Sequence, residues 1–117
     1  MRLNEMVFTD VQPIDGYGPG FFRIGSEAID APICVSPKGV QAWGGYEDTA
    51  TLLALKDEID VLFIGTGAET AHVPKAFRTT LEDTGIGVEA MNSPAAARTY
   101  NVLISEGRRV AAALLGV

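Results

Sequence analysis

The second half of the chain alternates two kinds of segment, and that alternation narrows the fold more than any other feature of the sequence. "DVLFIG" (60–65) is a continuous apolar run of strand length, as expected of a strand covered on both faces. "IGVEAM" (86–91) and "RRVAAALL" (108–115) read as further strands. Between them lie two helical patterns. In the first, Pro74 opens the helix, Val73, Phe77 and Leu81 recur at four-residue steps, and Gly85 ends it. In the second, "SPAAARTYNVLISEGRR" (93–109), Ser93 is the expected N-cap, Pro94 the first helical residue and Gly107 the stop. A helix between neighbouring strands makes them parallel, with a right-handed crossover. The expected class is therefore α/β, with helices covering a central sheet and a parallel βαβ second half.

The first third is β-rich. "DGYGPG" (15–20) has the glycines and proline that turns demand. "FFRIG" alternates, placing Phe22 and Ile24 on one face and Phe21 and Arg23 on the other. "APICVSP" (31–37) is a short apolar strand bounded by prolines, and "KGVQAWGGYED" (38–48) reads as loop. Asp48 or Thr49 caps a helix through about Glu58, with Leu52, Leu55 and Ile59 as its buried stripe. The strands of this third either extend the main sheet or form a layer of their own.

Composition bounds the function. At 117 residues, 47% hydrophobic and 21% charged, the chain suits one folded domain over residues 1–117. Nine Lys and Arg against fifteen acids leave a net charge of −6, which disfavours nucleic acid and anionic membrane surfaces as partners. No apolar run is long enough to span a bilayer. The start, "MRLNEMVFTD", lacks the blocks of a signal or transit peptide, so a cytoplasmic protein is expected. One cysteine, Cys34, and one histidine, His72, supply neither a disulfide nor a zinc site, and neither metal nor cofactor is expected.

The candidate site follows from the sheet. Ligands of open α/β sheets bind beyond the carboxyl ends of parallel strands. Two such ends are visible, "GTGAE" from Gly65 and "MNSPA" from Met91. Gly65, Thr66, Gly67, Asn92 and Ser93 would then line one crevice, where helix N–H groups favour an anion. Arg98, just past the first turn, would reach the same crevice. "GTG" itself is no dinucleotide fingerprint, because Thr70 stands where the third glycine belongs. On the second helix, Ala96, Tyr100, Leu103 and Ile104 face the sheet, while Pro94, Arg98, Asn101 and Ser105 fall outside. Arg98 and Asn101 are then either a contact surface or an ordinary solvated face.

Other constellations are weaker. Cys34 sits inside "ICV", where a buried apolar role is usual, and His72 lies in a loop. The acids of "DEID" (57–60) suit a solvated helix end. Trp43 and Tyr46 form either an exposed recognition loop or aromatic cover over the sheet.

The segments "DGYGPGFFRIG", "PKGVQAW", "FIGTG" and "GIGVEAMNSPAAARTYNVLISEGRRVAAALL" together resemble the MTH nine-three-eight domain family over nearly the whole chain. This is a family of small proteins of unknown function. Its relatives include a mitochondrial assembly factor for respiratory complex I and an adipogenesis-associated domain protein. The pattern falls on Gly65, Thr66, Gly67, Arg98, Thr99, Tyr100, Asn101, Glu106, Gly107 and Arg108. The resemblance implies a three-layer domain with a mixed central sheet and implies no known reaction. Two functions are expected in competition. One is a non-enzymatic binding or assembly-helper module with a protein partner. The other is an enzyme or sensor for a small anionic ligand in the crevice. Self-association through an apolar sheet edge stays open.

Overall fold

The computed structural model describes residues 12–117. Within these residues, eight strands and three α-helices follow one another in two blocks. The first comprises β1 (Ile14–Gly18), β2 (Phe21–Ile24), β3 (Glu27–Asp30), β4 (Ile33–Ser36) and β5 (Gly39–Ala42). The second comprises α1 (Ala50–Leu53), β6 (Val61–Gly65), α2 (Lys75–Glu82), β7 (Gly87–Met91), α3 (Ser93–Ser105) and β8 (Val110–Leu114). The strands form a three-stranded sheet in the order β1-β2-β3 and a five-stranded sheet in the order β5-β4-β8-β6-β7.

The larger sheet is mixed. β6 runs parallel to both β7 and β8, as the βαβ pattern requires, whereas β4 runs antiparallel to β8 and to β5. Period-2 alternation then sorts the side chains. Cys34, Leu62, Ile64, Val88, Ala111 and Ala113 face one way and bury Leu52, Leu55, Phe77 and Leu81 of the α1 and α2 layer. Ile33, Val35, Phe63, Val110, Ala112 and Leu114 face the other way and pack against Ala96, Ala97 and Tyr100 of α3 and Ile14, Phe22 and Ile24 of the small sheet. The result is three layers, with α3 and the small sheet sharing one of them. The first third thus does both things left open by its sequence: β4 and β5 extend the main sheet, and β1 to β3 form their own.

Three local expectations are corrected. Residues 15–20 were expected to turn, but Ile14–Gly18 is a strand paired with β2 through a bulge between Ile14 and Gly16. Pairing supplies what glycine propensity lacks. Residues 38–48 were expected as loop, but Gly39–Ala42 returns against β4, with Ile33 opposite Ala42 and Ser36 opposite Gly39. The helix after Asp48 spans only Ala50–Leu53 before loosening into turns, although Leu52, Leu55 and Ile59 are all buried. Asp48 does act at its start, accepting from the Thr51 N–H at 3.1 Å and the Thr51 hydroxyl at 2.7 Å. Among the described residues no helix is long and apolar enough to cross a membrane.

Candidate functional site

The parallel register sets Gly65 beside Met91, so the loops leaving β6 and β7 emerge together. They are laced to each other. The Thr66 N–H donates to the Met91 carbonyl at 2.9 Å, and the Ser93 N–H to the Gly67 carbonyl at 2.7 Å. The Ser93 hydroxyl accepts from the Gly67 N–H at 2.9 Å and donates to the Leu115 carbonyl at 2.7 Å. One buried serine thereby ties together the chain segments that follow β6, β7 and β8. Gly65 is required there: a Cβ would stand 2.6 Å from the Ser93 hydroxyl and 2.7 Å from Leu114 Cδ2. Gly67 adopts φ +103°, which side chains other than glycine's rarely tolerate. Thr66 closes its own loop, its hydroxyl donating to the Glu69 carbonyl and accepting from the Ala71 N–H.

The N-cap of α3 is Asn92 and not Ser93. The Asn92 amide oxygen accepts from the Ala95 N–H at 2.8 Å, and Ser93 and Pro94 become the first helical residues. Both residues can cap a helix; Ser93 is drawn inward by the β6 loop. This has a chemical consequence. A helix start attracts anions through free N–H groups. Here the Ser93 N–H goes to Gly67, Pro94 has none, the Ala95 N–H goes to the Asn92 side chain and the Ala96 N–H to the Asn92 carbonyl. The donors expected to hold a small anion between Gly65–Gly67 and Asn92–Ser93 are therefore spent within the fold.

The two outer residues of α3 part company. Asn101 is not on a solvated face. Its amide accepts from the Ile14 N–H at 2.8 Å and donates to the Ile14 carbonyl at 2.9 Å, taking the place of a neighbouring strand at the edge of β1. Arg98 is exposed and has no hydrogen-bond partner among the described residues. Tyr100 is buried as expected, but its hydroxyl has no partner in the described structure, and burial raises its pKa.

The other constellations resolve simply. Trp43 is buried and is aromatic cover, packed with Tyr46 and Phe77 at centroid distances of 6.0 and 6.1 Å, its indole donating to the Asp48 carbonyl. Cys34 lies in the sheet interior, where burial, aided by the Asp48 carboxylate, pushes its thiol up to about 12. A thiol held neutral in this way is a poor nucleophile at physiological pH. His72 is exposed, in the loop before α2. Asp57, Glu58 and Asp60 face solvent, with Arg109 reaching Asp60 at 3.4 Å.

A cavity of about 480 Å³ opens one strand further out than the crevice, lined by Thr70, His72, Arg78, Val88, Glu89 and Ala90 among others. Its floor is the outer edge of β7. Local sequence patterns do not show it, because they identify β7 as a strand without revealing that it stands last in the order of the described strands.

Comparison with known proteins places this geometry in a lineage. Residues 14–115 match a family model described as "Protein of unknown function (DUF498/DUF598)". An uncharacterized protein of Rhodobacter capsulatus is 46% identical over 98% of this chain and 93% of its own length. NADH dehydrogenase (ubiquinone) 1 alpha subcomplex assembly factor 3 of Danio rerio is 34% identical over 87% of this chain, which spans 63% of that longer protein. A crystal structure described as an outer membrane protein from Bartonella henselae superposes with a TM-score of 0.85 at 38% identity, covering 95% of this chain and 99% of that one. A solution structure of a Mth938-like domain from Bordetella pertussis superposes at 0.75 with 30% identity, over 99% of this chain and 92% of that one. The chain is thus a member of the DUF498/DUF598 family, with the Mth938-like fold that its sequence resembles.

Proposed function

We propose that the protein is a non-enzymatic binding module that helps another protein, or a protein complex, to assemble. The observation that carries this reading is the match to the Danio rerio assembly factor, which extends over 87% of the chain and so concerns the whole fold. The geometry is consistent with it. Gly65, Gly67 and the Ser93 hydroxyl are occupied in holding loops together, which suits a rigid scaffold more than a reactive centre. Of the candidate site residues, Gly65, Thr66, Gly67, Asn92, Ser93 and Asn101 shape the surface, and Arg98 is the one offered outward. A charged, exposed position of this kind serves partner choice and encounter more than catalysis. On this reading the chain works from the aqueous side of a membrane, in the cytoplasm of a bacterium.

The test is genetic and biochemical. The gene is deleted in its host, membrane protein complexes are resolved on native gels, and the wild-type chain or Arg98→Ala is returned. The expected result is a partly assembled complex that the wild type restores and Arg98→Ala restores less well at equal abundance. Unchanged complexes after deletion would overturn the assembly reading.

A further inference from the structure

β7 ends the five-stranded sheet, so among the described residues one side of its backbone has no strand beside it. Which groups it leaves open can be worked out. The Gly87 N–H donates to the Asp60 carbonyl, and the Met91 carbonyl accepts from Thr66. In a parallel ladder a residue that pairs with one neighbour turns both of its backbone groups to that neighbour, and the next residue turns both away. Gly87, Glu89 and Met91 therefore face β6, and Val88 and Ala90 face outward, into the cavity.

The two ends of this open edge are already closed by side chains. Arg78 of α2 donates to the Val88 carbonyl at 2.9 Å, and the Asn92 N–H donates to the Thr70 hydroxyl at 3.1 Å. Between them the Val88 N–H, the Ala90 N–H and the Ala90 carbonyl have no partner among the described residues. Proteins usually protect such an edge with charge, a bulge or a covering element. Here the charged protection is the Arg78 guanidinium, with the Thr70 hydroxyl at the far end; Arg78 is also held by Glu82 at 3.2 Å, so it can swing aside without leaving its own helix.

We propose that the edge of β7 is a docking site for an extended segment of a protein partner, which adds as a sixth strand in the cavity. The inference rests on the binding-module reading and names its surface. The incoming strand's N–H replaces Arg78 on the Val88 carbonyl, and its carbonyl takes the Ala90 N–H. Main-chain bonds supply affinity in this mode, and side-chain neighbours supply specificity. Those neighbours differ by face. On the α2 face Arg78, once displaced, pairs with an acidic residue of the partner. On the opposite face the exposed Glu89 favours a basic residue. The matching segment therefore carries an acidic and a basic residue side by side, since adjacent residues of a strand point to opposite faces. A second copy of this chain fits poorly. A two-fold pairing centred on Glu89 would set two Glu89 carboxylates across from each other, in the closer, non-hydrogen-bonded position.

The experiment is a selection of random nine-residue peptides displayed on phage against the folded protein, with affinities of the enriched peptides then measured in solution. Enrichment of β-branched sequences with an adjacent acid–base pair is expected. Ala90→Pro removes an outward N–H that the fold does not use, so it should melt near the wild type and weaken these peptides about tenfold or more, the value of one to two backbone bonds. Should Ala90→Pro unfold, Glu89→Lys serves instead: it should reject the selected peptides and accept their charge-swapped versions. No enrichment, or peptides indifferent to both variants, overturns the proposal. Dimerisation of the wild type that Ala90→Pro abolishes overturns it too, since the occupant is then a second copy. The two readings fail separately. If deletion leaves complexes intact while peptides bind the edge, only the assembly role falls. If deletion matters and neither Ala90→Pro nor Glu89→Lys impairs rescue, only the edge falls.

Discussion

The side-chain amide of Asn101 holds both backbone groups of Ile14, the N–H at 2.8 Å and the carbonyl at 2.9 Å, across 87 residues of sequence. Because an amide presents a donor and an acceptor as a peptide group does, α3 closes the edge of a sheet to which it does not belong. Asn101→Ala leaves the nearly buried Ile14 N–H and carbonyl without a partner. The expected loss is about 2–3 kcal/mol in urea unfolding. Asn101→Asp should recover little of it, since a carboxylate accepts from the N–H but repels the carbonyl. A loss below about 0.5 kcal/mol for the alanine variant would show that water replaces the amide without cost.

Gly65 and Ser93 should prove coupled. Gly65→Ala forces a methyl against the Ser93 hydroxyl and Leu114, and overpacking of this kind costs about 1–3 kcal/mol. Ser93→Ala removes the partner of the Gly67 N–H and the Leu115 carbonyl and costs a similar amount. It also removes one of the atoms in the way. The double variant should therefore be more stable than the sum of the single losses by about 0.5 kcal/mol or more. Strict additivity in thermal unfolding would contradict the contact.

Tyr100 separates the value of a ring from that of its hydroxyl. The side chain is fully buried and its oxygen has no partner among the described residues. Tyr100→Phe should hold or raise stability, by up to about 1–2 kcal/mol, because it deletes an uncompensated polar burial. Tyr100→Ala should cost about 3–5 kcal/mol through the cavity it opens. A phenylalanine variant clearly less stable than wild type would mean that a buried water satisfies the hydroxyl.

Alkaline stability should be limited by Cys34 and Tyr100. Burial holds the Cys34 thiol neutral, with its pKa raised from 9.0 to about 12, and raises that of Tyr100 as well. The unfolded chain ionises first. The Cys34 stabilisation is therefore complete below pH 9 and is lost as the pH rises from 9 towards 12, with a slope approaching about 1.4 kcal/mol per pH unit, and that of Tyr100 begins to be lost only above pH 10. Cys34→Ala should flatten that slope, and a thiol reagent at pH 8 should modify the native wild type only as fast as the core opens. Rapid labelling of the folded protein would refute the burial argument.

Much of this fold is written locally. The stripe of Phe77 and Leu81, the alternation of Phe22 and Ile24, and the stops at Gly85 and Gly107 depend on neighbours within a turn or two, and each stands where periodicity put it. What depends on distant partners was hidden. Ile14–Gly18 holds two glycines in a strand only because β2 lies on one side and Asn101 reaches it from the other. Gly39–Ala42 carries no strong β signal and is ordered by β4. At the candidate site, the meeting of the β6 and β7 loops followed from the parallel pattern. That Ser93 would tie the two loops together did not, because its third partner, Leu115, comes from beyond β8. The open edge at Val88 and Ala90 was out of reach for the same reason, as strand order is not a local property.

Strand order also sets a schedule. β8 is the latest strand in the chain, yet it stands between β4 and β6, joining the antiparallel part of the sheet to the parallel part. All five of its residues are buried, and Ala111, Ala112 and Ala113 contribute to both cores. While the chain is being synthesised from its amino end, the β4–β5 hairpin and the β6–β7 pair have only a vacant slot between them. Neither core can close until Leu114 has cleared the ribosome. Until then two further strand edges, those of β4 and β6, lie bare on the nascent chain, and these are the edges at which a chaperone would be expected to engage it.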